Sequence, residues 1–199
     1  MSQYRAIIAR NCAALFEGDP EERAAAMAAA WNGASFELEA FGARWELTPG
    51  GIIVDGQPET GPRGIILSLY ALHAAADAMI LEPLQSFKEL PDSMPYTGAF
   101  ANRTEQALVQ AVGRIAAARE KIVACLQGDR APSGTSGDFA FVVRPLPKIA
   151  LCYVFYEADE EFPPSVTCLY SHNAHLFMPT DGLADVGEYT SRTILDLLK

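Results

Sequence analysis

The feature that most limits the fold of this chain is the order in which two hydrophobic periodicities arrive. Apolar residues recur at helical spacing through the first 33 residues, again from Gly61-Pro62 to about Ile80, from Asn102 to Gly128, and from Thr180 onward. Two-residue alternation and short branched or aromatic runs fill residues 35–54 and 139–170 instead. Strands and helices therefore come in blocks. A doubly wound parallel sheet needs regular strand–helix alternation, so the pattern predicts an α+β fold. Antiparallel strands over about 35–54 and 139–170 pack with N-terminal, central and C-terminal helices in one domain, residues 1–199, whose first part (1–33) is helical.

Local signals refine this frame. Ile7, Ile8, Cys12, Leu15 and Phe16 form a helical stripe that Gly18 stops. Asp19-Pro20-Glu21-Glu22 starts the next helix, with Asp19 as cap, Pro20 in the first turn and Glu22 completing a capping box. This alanine-rich helix is expected to reach about Trp31 and end at Gly33. Phe36, Leu38 and Ala40 alternate with Glu37 and Glu39, Arg44 to Leu47 alternates again, and Ile52-Ile53-Val54 follows, so two or three strands are expected. Ile65, Leu69, Leu72, Ala76 and Met79 or Ile80 predict one helical stripe. Prolines 83, 91 and 95 make 81–100 an irregular connection whose aromatics pack onto the body. Asn102 is placed as the cap of a long helix that buries Leu108, Val112, Ile115, Ile122 and Leu126. Pro145 and Pro147 separate strands at 139–143 and 149–156, a third strand covers 166–170, and the last helix turns Leu183, Val186 and Ile194 inward.

Charge excludes several classes of function. The 199 residues carry 25 acidic and 15 basic side chains, a net charge of -10, which is unsuited to neutralising phosphates, so no nucleic-acid partner is expected. No apolar run approaches membrane-spanning length, and no continuous apolar segment opens the chain, so neither a membrane partner nor a signal peptide is expected and the cytoplasm is the expected location. Residues 101–150 sum to +3 and 151–199 to -6, which predicts that the 102–128 helix packs near the C-terminal strands and offsets part of their charge.

The candidate chemistry lies toward the C-terminus. Glu157, Asp159, Glu160 and Glu161 form the densest polar cluster; such carboxylates bind a hard cation or share a proton, or simply solvate a turn. His172 and His175, close to Cys168, have a spacing that lets two imidazoles share a metal on a helix, and equally fits edge histidines. Asp159, Glu160, Glu161, His172 and His175 are therefore the candidate cluster; a metal there is left open and no other cofactor is expected. His73 reads as packed or partly exposed. Cys12, Cys125, Cys152 and Cys168 show no C-x-x-C pair and sit among apolar neighbours, as buried free thiols do. The Gly/Ser loop at 133–138 lacks the Gly-Lys-Ser/Thr ending of a phosphate loop.

Several blocks are familiar in combination. Pro145-Leu146-Pro147 followed by Asp159-Glu160-Glu161-Phe162-Pro163 is similar to a "P-x-P … D-E-E-F-P" signature, Ser86-Phe87-Lys88-Glu89-Leu90-Pro91 to "S-F-R-E-L-P", and Cys168-Leu169-Tyr170 with Met178-Pro179-Thr180-Asp181 to "I-L-F-D … L-P-x-E-D". Tyr96 to Phe100 follows the second block at a similar distance. Over about residues 35–199 the chain thus resembles the domain of unknown function 3786 family. That family is typical of anaerobes, and some relatives carry an added iron–sulfur domain like that of corrinoid iron–sulfur proteins; this chain has no such cysteine cluster. Ser171 and Gly182 stand where relatives often have acids, and the acidic-Phe-Pro block is open to two readings, a functional one and a structural one in which Phe162 anchors its turn in the core.

What the resemblance implies is an accessory or interaction protein of anaerobic metabolism, linked to corrinoid or iron–sulfur proteins. Two alternatives come from the residues: a metal-dependent or acid–base enzyme using the Asp159–Glu161 block with His172 or His175, and a small-molecule-binding module walled by the aromatic strand 151–156. A protein or a small molecule is the expected partner, and the oligomeric state is left open.

Overall fold

A computed structural model describes residues 3–199. Helix α1 (Gln3–Leu15) buries Ile8, Cys12 and Leu15. Asp19 caps α2 (Pro20–Met27) by accepting the Glu22 N–H at 2.9 Å. This helix is shorter than the alanine run suggests. Ala28 turns left-handed (φ 53°), and Ala30–Trp31 becomes strand β1. The cause is tertiary: the Trp31 ring joins Phe16 and Phe36, with centroids 6.0 and 4.7 Å away, and aromatic burial outweighs alanine's helix propensity.

The first sheet has the order β1-β2-β3-β4-β5, with β2 Phe36–Ala40, β3 Ala43–Thr48, β4 Gly51–Val54 and β5 Gln57–Glu59, all antiparallel. Phe36, Leu38, Ala40, Trp45 and Leu47 face the core, while Glu37 and Arg44 pair on the outer face. The strands β1 and β5 are too short to carry an alternation signal. Helix α3 (Pro62–His73) ends well before Ile80 and buries Gly64, Ile66, Leu67, Ser68, Tyr70 and Ala71, leaving the expected stripe of Ile65, Leu69 and Leu72 only half-buried. The reason is close contact with α1. A side chain at Gly64 would meet Ile8 Cδ1 at 2.7 Å, and Asn11 Nδ2 donates to Ser68 Oγ at 3.0 Å.

The chain then runs extended over the second sheet. Met79, Leu81 and Leu84 cover Val142, Ala150, Cys152 and Val154, while Asn173 holds the segment by accepting the Ile80 N–H and donating to the Ala78 carbonyl. From Thr97 the backbone is helical through α4 (Thr97–Phe100), a π turn at Ala101–Glu105, α5 (Gln106–Val109) and, after a break, α6 (Val112–Cys125). Asn102 is therefore inside a helical run and caps nothing. The expected stripe Leu108, Val112, Ile115, Ile122 and Leu126 is buried.

The second sheet has the order β6-β10-β9-β8-β7, with β6 Gln85–Ser86, β7 Asp129–Arg130, β8 Phe139–Leu146, β9 Ile149–Tyr156 and β10 Ser165–Tyr170. Pro145 does not end β8: a register shift between Val143 and Leu146 accommodates its missing N–H, and its carbonyl accepts the Phe41 N–H at 2.8 Å, tying the two sheets together. Strand β9 is buried from Ile149 to Phe155, so both faces of this sheet are covered. The last helix, α7 (Thr180–Asp196), buries Leu183, Val186 and Ile194 as expected. One buried cluster extends from Ile8 to Ile194. The fold is α+β with two antiparallel sheets. Helix α6 packs on β8. The ion pair to the acidic C-terminal quarter comes from the π turn, as Arg103–Glu188 at 3.2 Å; from α6, Lys121 reaches only the Leu197 carbonyl. Among the described residues no helix is long and apolar enough to cross a membrane.

Candidate functional site

The acidic residues and the histidines do not converge. Asp159 closes its own turn, accepting the N–H groups of Glu161 (2.8 Å) and Phe162 (2.7 Å), and Glu157, Glu160 and Glu161 are exposed around it. Phe162 is 65% exposed, so it does not anchor the turn: prolines 163 and 164 lead straight into β10 and leave its ring outside. His172 and His175 follow the opposite end of β10, roughly 20 Å away at the rise of a six-residue strand. His172 Nδ1 lies 3.2 Å from the Pro83 carbonyl oxygen, whereas His175 is exposed. Among the described residues no group of three His, Cys, Asp or Glu side chains is arranged to hold a metal. His73 is exposed at the end of α3. Burial pushes the Cys12 and Cys152 thiols up to about 11 and raises Cys168 as well, which suppresses thiolate chemistry at all three.

What does converge is a set of blocks far apart in sequence. Ser86 and Glu89 form a reciprocal cap on the turn Phe87–Glu89, and Gln85–Ser86 pairs with Leu169–Tyr170 on β10. The rings of Phe87 and Phe100 stack at 4.3 Å, with Tyr170 at 6.0 and 5.8 Å from them. Thr180 Oγ1 donates to the Pro91 carbonyl at 2.6 Å. Residues 86–91, 96–100, 168–170 and 178–181 thus build one corner of the molecule.

The π turn locks this corner from beneath. Its extra residue drives Thr104 fully inside and aims the Glu105 carboxylate at β10, where Oε1 accepts the Cys168 N–H at 3.0 Å. Ser191 Oγ donates to the Thr104 carbonyl (2.8 Å) and lies 3.1 Å from the Tyr153 hydroxyl, while the Tyr170 hydroxyl donates to the Leu183 carbonyl (2.6 Å). Gly187 leaves the necessary room. A side chain there would meet Phe100 Cε2 at 2.6 Å and both Thr104 Oγ1 and the Tyr170 hydroxyl at 2.9 Å. Burial raises the pKa of Glu105, only partly countered by the Cys168 N–H.

Two adjoining concavities open over this platform. The larger, about 520 Å³, is lined by Pro91, Asp92, Pro95, Tyr96, His175 and Met178–Asp181; the smaller, about 210 Å³, shares Tyr96 and Asp181 and adds Phe100, Arg103, Asp185 and Glu188. Met94 beside it is 86% exposed, Tyr96 37% and Leu176 40%. Glu188 is held by Arg103 and Arg192, whereas Asp92, Asp181 and Asp185 have no cationic partner among the described residues. Enclosure by the groove walls, then the charges of Glu188 and Asp181, push the Asp185 carboxyl above the usual range. As a candidate for chemistry the sequence singled out only His175 from this groove; Pro91, Tyr96, Phe100 and Met178–Asp181 stood out only in the family-like blocks, because they carry no catalytic or metal-ligand pattern. At Ser171 and Gly182 the structure places no acid: Ser171 Oγ accepts the Ala150 N–H inside the core, and a side chain at 182 would press on Met178 at 2.8 Å.

These features define an α+β protein of two antiparallel sheets whose most elaborate surface is a groove on a buried polar and aromatic platform. The chain belongs to the family described as Domain of unknown function (DUF3786), whose profile matches residues 19–193. Neither the curated proteins nor the solved structures include a match to it.

Proposed function

We propose that the protein is a non-catalytic accessory module that docks a protein partner in this groove. It acts in the cytoplasm, in anaerobic metabolism, alongside corrinoid or iron–sulfur proteins. The metabolic setting rests on the family resemblance, and the docking role on the groove. The observation that carries it is the Met94-Pro95-Tyr96 turn, in which Pro95 and Tyr96 line the groove and Met94, next in the chain, is 86% exposed. Methionines at binding surfaces adapt to the partner they meet, and aromatic side chains such as Tyr96 supply affinity at low entropic cost. The unpartnered Asp92, Asp181 and Asp185 select a partner segment that presents an apolar residue next to a basic one. Affinity capture from native anaerobic extract tests the reading. The wild-type chain retains a reproducible partner, and the double variant Met94→Asp, Tyr96→Ala loses it by tenfold or more while melting at the same temperature. Equal capture by both chains, or none by either, contradicts it.

A further inference from the structure

A second concavity lies away from the groove. It occupies about 590 Å³ between α6, β7 and the loop before β8, and is lined by Arg119 and Glu120 of α6, Asp129 and Arg130 of β7, residues 131–132 and 135–138 of the loop and Phe139–Phe141. We propose that this cleft binds a small planar anion, a ring compound bearing a carboxylate or phosphate. The groove plays no part in this argument.

The charges that face the cleft are unequally engaged. Asp129 Oδ1 accepts the Arg130 N–H at 2.7 Å and Asp138 Oδ2 accepts the Glu157 N–H at 2.7 Å, so both carboxylates serve the local main chain. Arg119 and Arg130 have no carboxylate within salt-bridge distance among the described residues. Two guanidiniums on separate elements beside one cleft are suited to planar, bidentate recognition of an oxyanion. Three lining carboxylates oppose them: Asp129 and Asp138, each already accepting a main-chain N–H, and Glu120, which is the one not so engaged.

The loop adds neutral donors. Ser136 Oγ accepts the Tyr156 hydroxyl hydrogen at 3.0 Å, which frees its own O–H to donate outward. The N–H groups of Ser136 and Gly137, which line the cleft, make no hydrogen bond among the described residues, unlike those of Thr135 and Asp138. Gly137 is fixed in place: at φ 101° a side chain would meet Val154 Cγ1 at 2.6 Å and the Phe155 carbonyl at 2.9 Å. Gly134, at φ 88°, faces open space and lets the loop tip adjust. The floor is aromatic, because Phe139 stacks on Phe155 at 4.6 Å and 8° and is itself only half-buried. Its ring supplies the stacking surface for a flat ligand. This device differs from a phosphate loop, which needs a following helix; β8 follows here.

Amide chemical shifts of the full chain titrated with phenyl phosphate test the inference, with inorganic phosphate and cyclohexyl phosphate as comparisons. Saturable shifts at Ser136 and Gly137 are expected. Phenyl phosphate should bind more tightly than either comparison. Arg119→Gln and Arg130→Gln should each weaken binding about tenfold, or ~1.4 kcal/mol, and Glu120→Gln should strengthen it two- to threefold. Equal binding of cyclohexyl phosphate and phenyl phosphate overturns the planar ligand, and equal binding of inorganic phosphate overturns the ring. Absence of saturation, or unchanged binding in both arginine variants, overturns the site.

Discussion

The groove and the cleft differ most in what lies under them. Beneath the groove are Thr104, Tyr153, Tyr170 and Ser191, all inside the protein: Tyr153 and Ser191 bond each other, Tyr170 donates to the Leu183 carbonyl, and Ser191 donates to the Thr104 carbonyl, while the buried Thr104 hydroxyl has no partner among the described residues. The cleft is bounded by an exposed loop whose tip is held at Gly137 but open at Gly134. Rigid support with exposed apolar side chains suits a macromolecular partner, because little ordering is needed on this side of the interface. A loop rich in hydroxyl and N–H donors beside two guanidiniums suits a small anion. Concavity alone separates the two poorly, since about 520 and 590 Å³ are nearly equal. Their foundations and their charges tell them apart.

That contrast can be broken most forcefully at Gly187. Gly187→Ala drives a methyl group against Phe100, Thr104 and Tyr170, and should cost about 2–3 kcal/mol, lowering Tm by roughly 5–10 °C in a thermal melt. Partner capture should fall with it, while the cleft's response to phenyl phosphate in the cold stays intact. An unperturbed melting curve would mean that the platform is looser than its contacts indicate. Arg119→Gln with Arg130→Gln sharpens the comparison from the other side: partner capture should be unchanged, because neither residue lines the groove. The smallest effect concerns Glu105. Its folded pKa is raised by burial, so its stabilising contribution is complete below the ordinary glutamate range and declines as pH climbs toward the folded value. In urea unfolding between about pH 4 and 7, Glu105→Gln should flatten that decline, since the amide oxygen still accepts the Cys168 N–H. A wild-type slope persisting in the variant assigns the pH dependence elsewhere.

Much of the scaffold was legible in the sequence because it follows local rules. The alternation of Phe36, Leu38 and Ala40 set the inner face of β2, the Asp19-Pro20 start set α2, and the stripe from Leu108 to Leu126 set the buried side of the central helices. Failures came where distant contacts override spacing. Trp31 left its helix for an aromatic cluster, α3 turned its small residues toward α1, and Pro145 sat in a bulge instead of ending a strand. Asn102 looked like a cap, but helix had already begun at Thr97 and the π turn follows from side chains on α7 and β10 that no local pattern announces. The candidate site was harder still. Clustered carboxylates and histidines are conspicuous in a sequence, yet β10 holds them apart. The groove is made of Pro, Met, Tyr and scattered Asp from separate blocks, which become a surface only when Thr180 closes on Pro91.

Site-specific photocrosslinking tests the central claim most directly. A photoreactive phenylalanine analogue replaces Met94 in one chain and Phe162, exposed at the far end of β10, in another, and both are irradiated in native anaerobic extract. Docking in the groove predicts a discrete adduct from position 94 that an excess of unlabelled wild-type chain competes away, and none from position 162. Adducts of equal yield from both positions, or a discrete adduct from 162 alone, would contradict it.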